Sequence, residues 1–192
     1  MIVVLDEDQA EADLAAGMIG CPRCTGSLRP WSWASARRIR ELDGSTRLVR
    51  PRRARCTSCR STQVLLPASC QPRRADATEV IGAALVAKAC GRGYRTIARD
   101  LDRPPATVRR WLRRVRGHHL GWLRRRGIDH ASRLDPAVLN DVVDQPTELG
   151  DALAALAAAV CAYRRRFTRA ADPWPLIGAF TSGRLLLPSP NG

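Results

Sequence analysis

Cys21-Pro22-Arg23-Cys24 and Cys56-Thr57-Ser58-Cys59 form two CxxC pairs. Each pair can present two thiolates from one tight turn, and two such turns supply the four soft ligands of a tetrahedral zinc site. Between them lies strand-like sequence in which Asp43-Gly44 marks a hairpin joining Arg37–Leu42 to Ser45–Arg50. Two knuckles holding a small sheet make a zinc ribbon. Four thiolates close the ion's coordination shell and leave no position for a catalytic water, so the zinc is expected to be structural. A redox dithiol would open a helix in a βαβ context, which is absent. Cys70 is a weaker ligand candidate. Cys90 and Cys161 fall in apolar helical patterns and read as buried small side chains.

A second constellation is made of arginines. In Pro105–Arg116, Val108, Trp111, Leu112 and Val115 recur at i, i+3, i+4 and i+7, the spacing of one helical face. At about 100° per residue the opposite face carries Ala106, Arg109, Arg110 and Arg113. A short helix with an arginine face and a small residue near its start fits the major groove of double-stranded DNA. Ala106, Arg109, Arg110 and Arg113 are therefore assigned to base edges. Tyr94, Arg95, Arg114 and Arg116 are assigned to phosphates, which position a protein without reading sequence.

The elements that would position this face are two preceding short helices. Ala77, Ile81, Ala84 and Leu85 line one side of the first, and Ile97, Ala98 and Leu101 line the second. Asp76-Ala-Thr-Glu79 has the form of a capping box opening the first helix, and Pro105 suits the first turn of the third. The segment "GRGYRTIARDLDRPPATVRRWLRR" resembles homeodomain-like helix-turn-helix segments of bacterial transposases and small regulators. With "CPRC", "RARCTSC" and "VLLP" it also resembles a family of uncharacterised bacterial proteins combining a zinc ribbon with a helix-turn-helix. The resemblance covers residues 20 to about 117 and implies DNA binding with mobile-element ancestry. Such segments usually carry Gly in the turn. Asp102 stands there instead, which counts against the turn geometry.

Charge supports a polyanionic partner. The formal net charge is +14, and residues 21–128 hold 26 Lys or Arg against six acids. Residues 1–20 hold five acids and no basic residue, and 129–151 turn acidic again. No apolar run approaches the ~20 residues of a membrane span, and Ile2–Leu5 is too short for a signal core. A cytoplasmic location without membrane contact is expected, where cysteines stay reduced.

The expected fold is α+β, mostly α. A strand and acidic helix occupy 1–20, the ribbon 21–70 and the helix-turn-helix 75–116. A linker with short helices fills 117–146, a long helix 147–169 and a tail 170–192. Thr62–Leu66 is a further strand. Leu149, Leu153, Leu156, Val160, Tyr163 and Phe167 form a short heptad-like seam, which either packs on the chain's own helices or makes a homodimer through residues 149–167. A transposase or integrase is the other protein partner that the resemblance implies. Asp135, Asp141 and Asp144 read as a solvated loop rather than a two-metal site, and no nucleophile–base pair is evident. The chain is thus expected to be non-enzymatic, a transcriptional regulator or a mobile-element accessory. Two alternatives are a zinc-dependent protein-interaction adaptor and RNA binding. Trp31 and Trp33 could stack on bases, but they are expected in the sheet's core. His118 and His119 read as surface or DNA-proximal residues. Arg37, Arg38, Arg52, Arg53 and Arg55 are ribbon candidates for phosphate contact.

Overall fold

Acidic residues at the start of the chain build a helix that closes one side of a sheet. The computed structural model describes residues 1–168 and 172–187. Strand β1 (Ile2–Val4) leads to helix α1 (Glu7–Ala16), which Asp6 caps by accepting the Gln9 N–H. Glu7 and Asp8 in the first turn suit the positive end of the helix dipole. Strands β2 (Leu28–Trp33), β3 (Arg37–Arg40), β4 (Thr46–Val49), β5 (Arg52–Cys56) and β6 (Thr62–Pro67) follow.

The main sheet has the order β1-β6-β5-β2. β1 runs parallel to β6, and the other pairs are antiparallel. The register of β2 on β5 shifts between Pro30 and Ser32, a bulge that re-aims the side chains beyond it. β3 and β4 form a separate hairpin through Asp43-Gly44, where the Asp43 carboxylate accepts the Ser45 N–H at 2.8 Å.

Helices α2 (Thr78–Ala89), α3 (Tyr94–Asp100) and α4 (Pro105–Arg114) come next. They are followed by α5 (His118–Leu134), a 3-10 turn (Pro136–Asp141), α6 (Glu148–Phe167) and α7 (Pro173–Phe180). The fold is α+β with more helix than strand. Among the described residues no helix is long and apolar enough to cross a membrane.

Apolar side chains divide between two cores. The smaller lies between α1 and the sheet and contains Ala10, Leu14, Leu28, Ala54 and Leu65. The larger runs from the β3–β4 hairpin, through Ile39 and Val49, into the helices. β6 is shared: Leu65 belongs to the small core and Leu66 to the large one. Neighbouring strand residues point to opposite faces, so a single strand can wall both.

Two segments differ from expectation. Residues 117–146, expected as a linker with short helices, contain the 17-residue helix α5. It packs along α6, and a Cβ at Gly127 would collide with the Ala155 backbone, so the absence of a side chain there permits the close approach. The C-terminal segment is not a featureless tail. α7 is helical, and Leu176, Ile177, Leu185 and Leu186 are buried in the large core. Residues 170, 171 and 188–192 of that segment lie outside the described residues.

Candidate metal centre and arginine surface

The two CxxC turns meet. The Sγ atoms of Cys21, Cys24, Cys56 and Cys59 all lie within 4.8 Å of one another. Across the turns, Cys21 is 3.7 Å from Cys59 and Cys24 is 3.5 Å from Cys56. Four sulfurs bonded tetrahedrally at about 2.3 Å would stand roughly 3.8 Å apart, so the donor set fits one metal ion. Backbone N–H groups of Arg23, Gly26 and Ser58 donate to Cys21, Cys24 and Cys56, each at 3.4 Å. Such bonds stabilise thiolate charge. Gly26 carries no side chain because a Cβ would meet the Ser58 side chain and the Cys56 sulfur.

The four thiols are unequal. The Ser61 hydroxyl and N–H beside Cys59 push its pKa down to about 6. At Cys24 the Gly26 N–H acts downward, but the neighbouring sulfurs of Cys56 and Cys59 outweigh it and push the thiol up to about 11. Sulfurs this close cannot all ionise without a cation among them. A metal ion held at this centre would relieve that mutual repulsion.

Helix α4 separates its faces cleanly. Val108, Trp111, Leu112 and Val115 are buried, whereas Ala106, Arg109, Arg110 and Arg113 are exposed. The last four share one shallow surface depression with Arg114. None of these arginines is ion-paired among the described residues. Arg95 and Arg116 are exposed too. Tyr94 is half-buried, and the Arg95 guanidinium lies 5.7 Å from its ring centre. Arg74 joins the same positive surface, which sequence reasoning missed. Burial, then the charges of Arg114 and Arg110, lower its pKa. A residue outside the helical repeat leaves no periodic signal by which to be found.

The turn before α4 adopts the left-handed conformation despite lacking Gly. Asp102 has φ +50°, and the following N–H of Arg103 donates to the Ala98 carbonyl at 2.8 Å. Arg103 is the reason the turn holds. Its Nε donates to Asp76 at 2.6 Å, and its Nη atoms donate to the carbonyls of Leu101, Asp102 and Glu41. The other oxygen of Asp76 accepts from Arg40 at 2.9 Å. Arg103 is 7% and Asp76 2% exposed, so this is a buried charge pair with its own hydrogen bonds filled, while Arg40 Nε beside it is buried without a partner among the described residues.

That cluster corrects the capping box. Asp76 does not cap α2, whose N-cap is Ala77 without a side-chain bond. A carboxylate shared by two guanidinium groups gains more than one accepting a single amide. The cluster also ties three pieces together: the end of β3 at Arg40, the Glu41 carbonyl beyond it, and the turn between α3 and α4.

Other expectations are also revised. Trp31 and Trp33 are not in the core but 57% and 49% exposed. Cys90, which follows the last residue of α2, and Cys161, on α6, are exposed as well, while Cys70 is buried. His118 is exposed, but His119 is buried, its Nε2 bonded to the Leu185 carbonyl at 3.1 Å and its ring stacked on Trp122. In the acidic loop, Arg165 reaches both Asp135 at 3.6 Å and Asp141 at 3.7 Å. Of the ribbon arginines, Arg38 and Arg53 are exposed, Arg37 is half-buried, Arg52 pairs with Glu11, and Arg55 lies over Trp31.

A family model described as a domain of unknown function, DUF6431, matches residues 21–111. The matched stretch begins at the first metal-centre cysteine and ends at Trp111, inside α4. It holds all four cysteines, the Asp76–Arg103 pair and the start of the arginine face, and it excludes α5, α6 and α7. No curated protein and no solved structure matches the chain.

Proposed function

We propose that this chain is a non-enzymatic protein that binds double-stranded DNA. α2, α3 and α4 act as a homeodomain-like helix-turn-helix, with α4 in the major groove. Ala106, Arg109, Arg110 and Arg113 face base edges, and Tyr94, Arg95, Arg114 and Arg116 face phosphates. The observation that carries this reading is the α4 arginine face. It is exposed, free of carboxylate partners among the described residues, and backed by a buried apolar stripe that fixes its orientation. A merely solvated helix face in a protein of this size normally mixes both signs of charge.

The metal is proposed to be zinc, from the all-thiolate donor set and the sulfur spacing. Its role is structural, since four protein ligands leave no open position. The protein works in the cytoplasm as a transcriptional regulator or as an accessory to a transposase or integrase. A homodimer through residues 149–167 would suit a palindromic site. Leu156 and Val160 of that seam are already buried in the chain's own core, so Phe167 and the partly covered flank are what remains for a second copy.

Selection of bound sequences from a random duplex pool tests the reading. A recovered motif should change when Arg110 or Arg113 is replaced by Ala, each at a cost of about 1–3 kcal/mol. Failure to enrich any motif would overturn sequence-specific recognition.

A further inference from the structure

Two indoles stand out from the metal-bearing sheet, each with a guanidinium over its ring. Arg55 lies 4.6 Å from the centre of Trp31, and Arg52 lies 4.7 Å from that of Trp33. An indole is among the most apolar side chains, and leaving two of them half in water on one strand points to a contact surface. The register of β2 on β5 shifts between Pro30 and Ser32, so Trp31 has no paired residue on β5.

The two pairs differ in their electrostatic surroundings. Arg52 is neutralised by Glu11 at 2.8 Å, and Trp33 lines a cleft with Asp6, Glu7, Asp8 and Glu11. A phosphate would be repelled there. Arg55 has no carboxylate partner among the described residues. Its Nε donates to the Arg60 carbonyl at 3.3 Å, which holds the guanidinium above Trp31. Arg55 precedes Cys56 and Arg60 follows Cys59, so the second metal knuckle sets both ends of this arrangement. Arg53 and Arg60 beside it are exposed and, among the described residues, carry no ion pair. Residues 21–75 contain 13 arginines and two acids, so little negative charge is available locally to satisfy them.

We propose that Trp31 and Arg55 form a stacking platform for an unpaired nucleobase, with Arg53 and Arg60 holding the phosphates of the same single strand. A single strand supplies both a π-face for the free side of the indole and anions for the arginines. An acidic peptide would pair the arginines but leave the indole uncovered. A duplex keeps its bases stacked inside and out of reach. Single-stranded DNA and RNA share this chemistry. The platform is distinct from the α4 face proposed to read duplex DNA.

The test is fluorescence anisotropy of the metal-loaded full chain with labelled oligothymidylate, oligouridylate, a duplex and polyglutamate, at one fixed salt concentration. Trp31→Ala should weaken single-strand binding about tenfold or more, and Trp31→Phe should restore most of it. Arg55→Ala should weaken it several-fold, whereas Trp33→Ala should change it less than about twofold. Equal metal content in all variants checks that the knuckles remain intact. A preference for one oligomer, with this dependence on Trp31, identifies DNA or RNA as the source. Arg110→Ala should leave single-strand binding unchanged while altering duplex binding, which separates the two surfaces. Equal losses from Trp31→Ala and Trp33→Ala, no loss from Trp31→Ala, or Trp31-dependent capture of polyglutamate without single strands would each overturn the proposal.

Discussion

Seven side chains make up the buried cluster beneath the four-stranded sheet, and two of them are metal-centre cysteines. Thirty make up the cluster that joins the hairpin to the helices. The difference separates two ways of paying the entropy of folding. A cluster of seven residues removes too little apolar surface to hold four strands and two CxxC turns in place, and small modules of that kind rely on a metal or a cross-link. The helical part buries Trp111, Leu123, Leu156 and Leu176 almost completely and has no such need. On the proposed reading the chain places a module that needs its metal beside one that does not, joined by β6 and by the Asp76–Arg103 cluster.

The strongest way to break this comparison is to remove the metal. Binding of a structural zinc to thiolates is worth on the order of 10 kcal/mol, far more than the small core can replace. Chelation under reducing conditions should therefore abolish hydrogen-exchange protection in β2 and β5 while α5 and α6 stay protected. Simultaneous loss in both regions would show that they fold as one unit.

A smaller effect tests the joint. Replacing Asp76 or Arg103 singly by Ala strands a buried charge and should cost about 3–5 kcal/mol in urea unfolding. A pair of apolar residues of similar volume at both positions should cost much less, because the penalty comes from the unpaired partner. Arg110→Ala, on the exposed face, should shift stability by no more than about 0.5 kcal/mol. Equal losses from Arg103→Ala and Arg110→Ala would remove the cluster from its role as the joint.

The smallest effect sharpens the picture of the helical core. Burial, only partly opposed by the bond to the Leu185 carbonyl, keeps the pKa of His119 below its ordinary 6.5. The same desolvation, aided by Arg126, lowers that of His130. As pH falls through about 6.5 the unfolded chain takes up these protons before the folded chain does. Stability should therefore decline from about pH 7 downward until the folded values are reached, read as a falling thermal midpoint. His119→Gln should flatten that slope. An unchanged slope would mean that burial of His119 contributes nothing to the acid response.

Local spacing made much of this legible. The CxxC pairs announce themselves because a metal knuckle needs two thiolates with two residues between them, a constraint that lies wholly within four residues. The two faces of α4 are equally plain, since helical periodicity alone separates Val108, Trp111, Leu112 and Val115 from the arginines between them. The hairpin at Asp43-Gly44 follows from turn chemistry. Asp76 misleads for the opposite reason. Its position before an apolar helix is that of a cap, yet its two partners come from residues 40 and 103, distant in the chain.

By itself, then, the sequence marked the two CxxC turns as candidate metal knuckles, the polarity of α4 and the hairpin at Asp43-Gly44, because each depends on residues within a few positions of one another. Tertiary structure alone decided which surfaces remain open. Trp31 and Trp33 are left half in water on the edge strand β2, and Cys90 at the end of α2 and Cys161 on α6 are left exposed. The docking of residues 173–187 buried His119 and carried Leu185 and Leu186 into the large core. Burial is a property of what packs against a residue. No local pattern around Trp31 or His119 encodes the distant segment that covers it or leaves it bare.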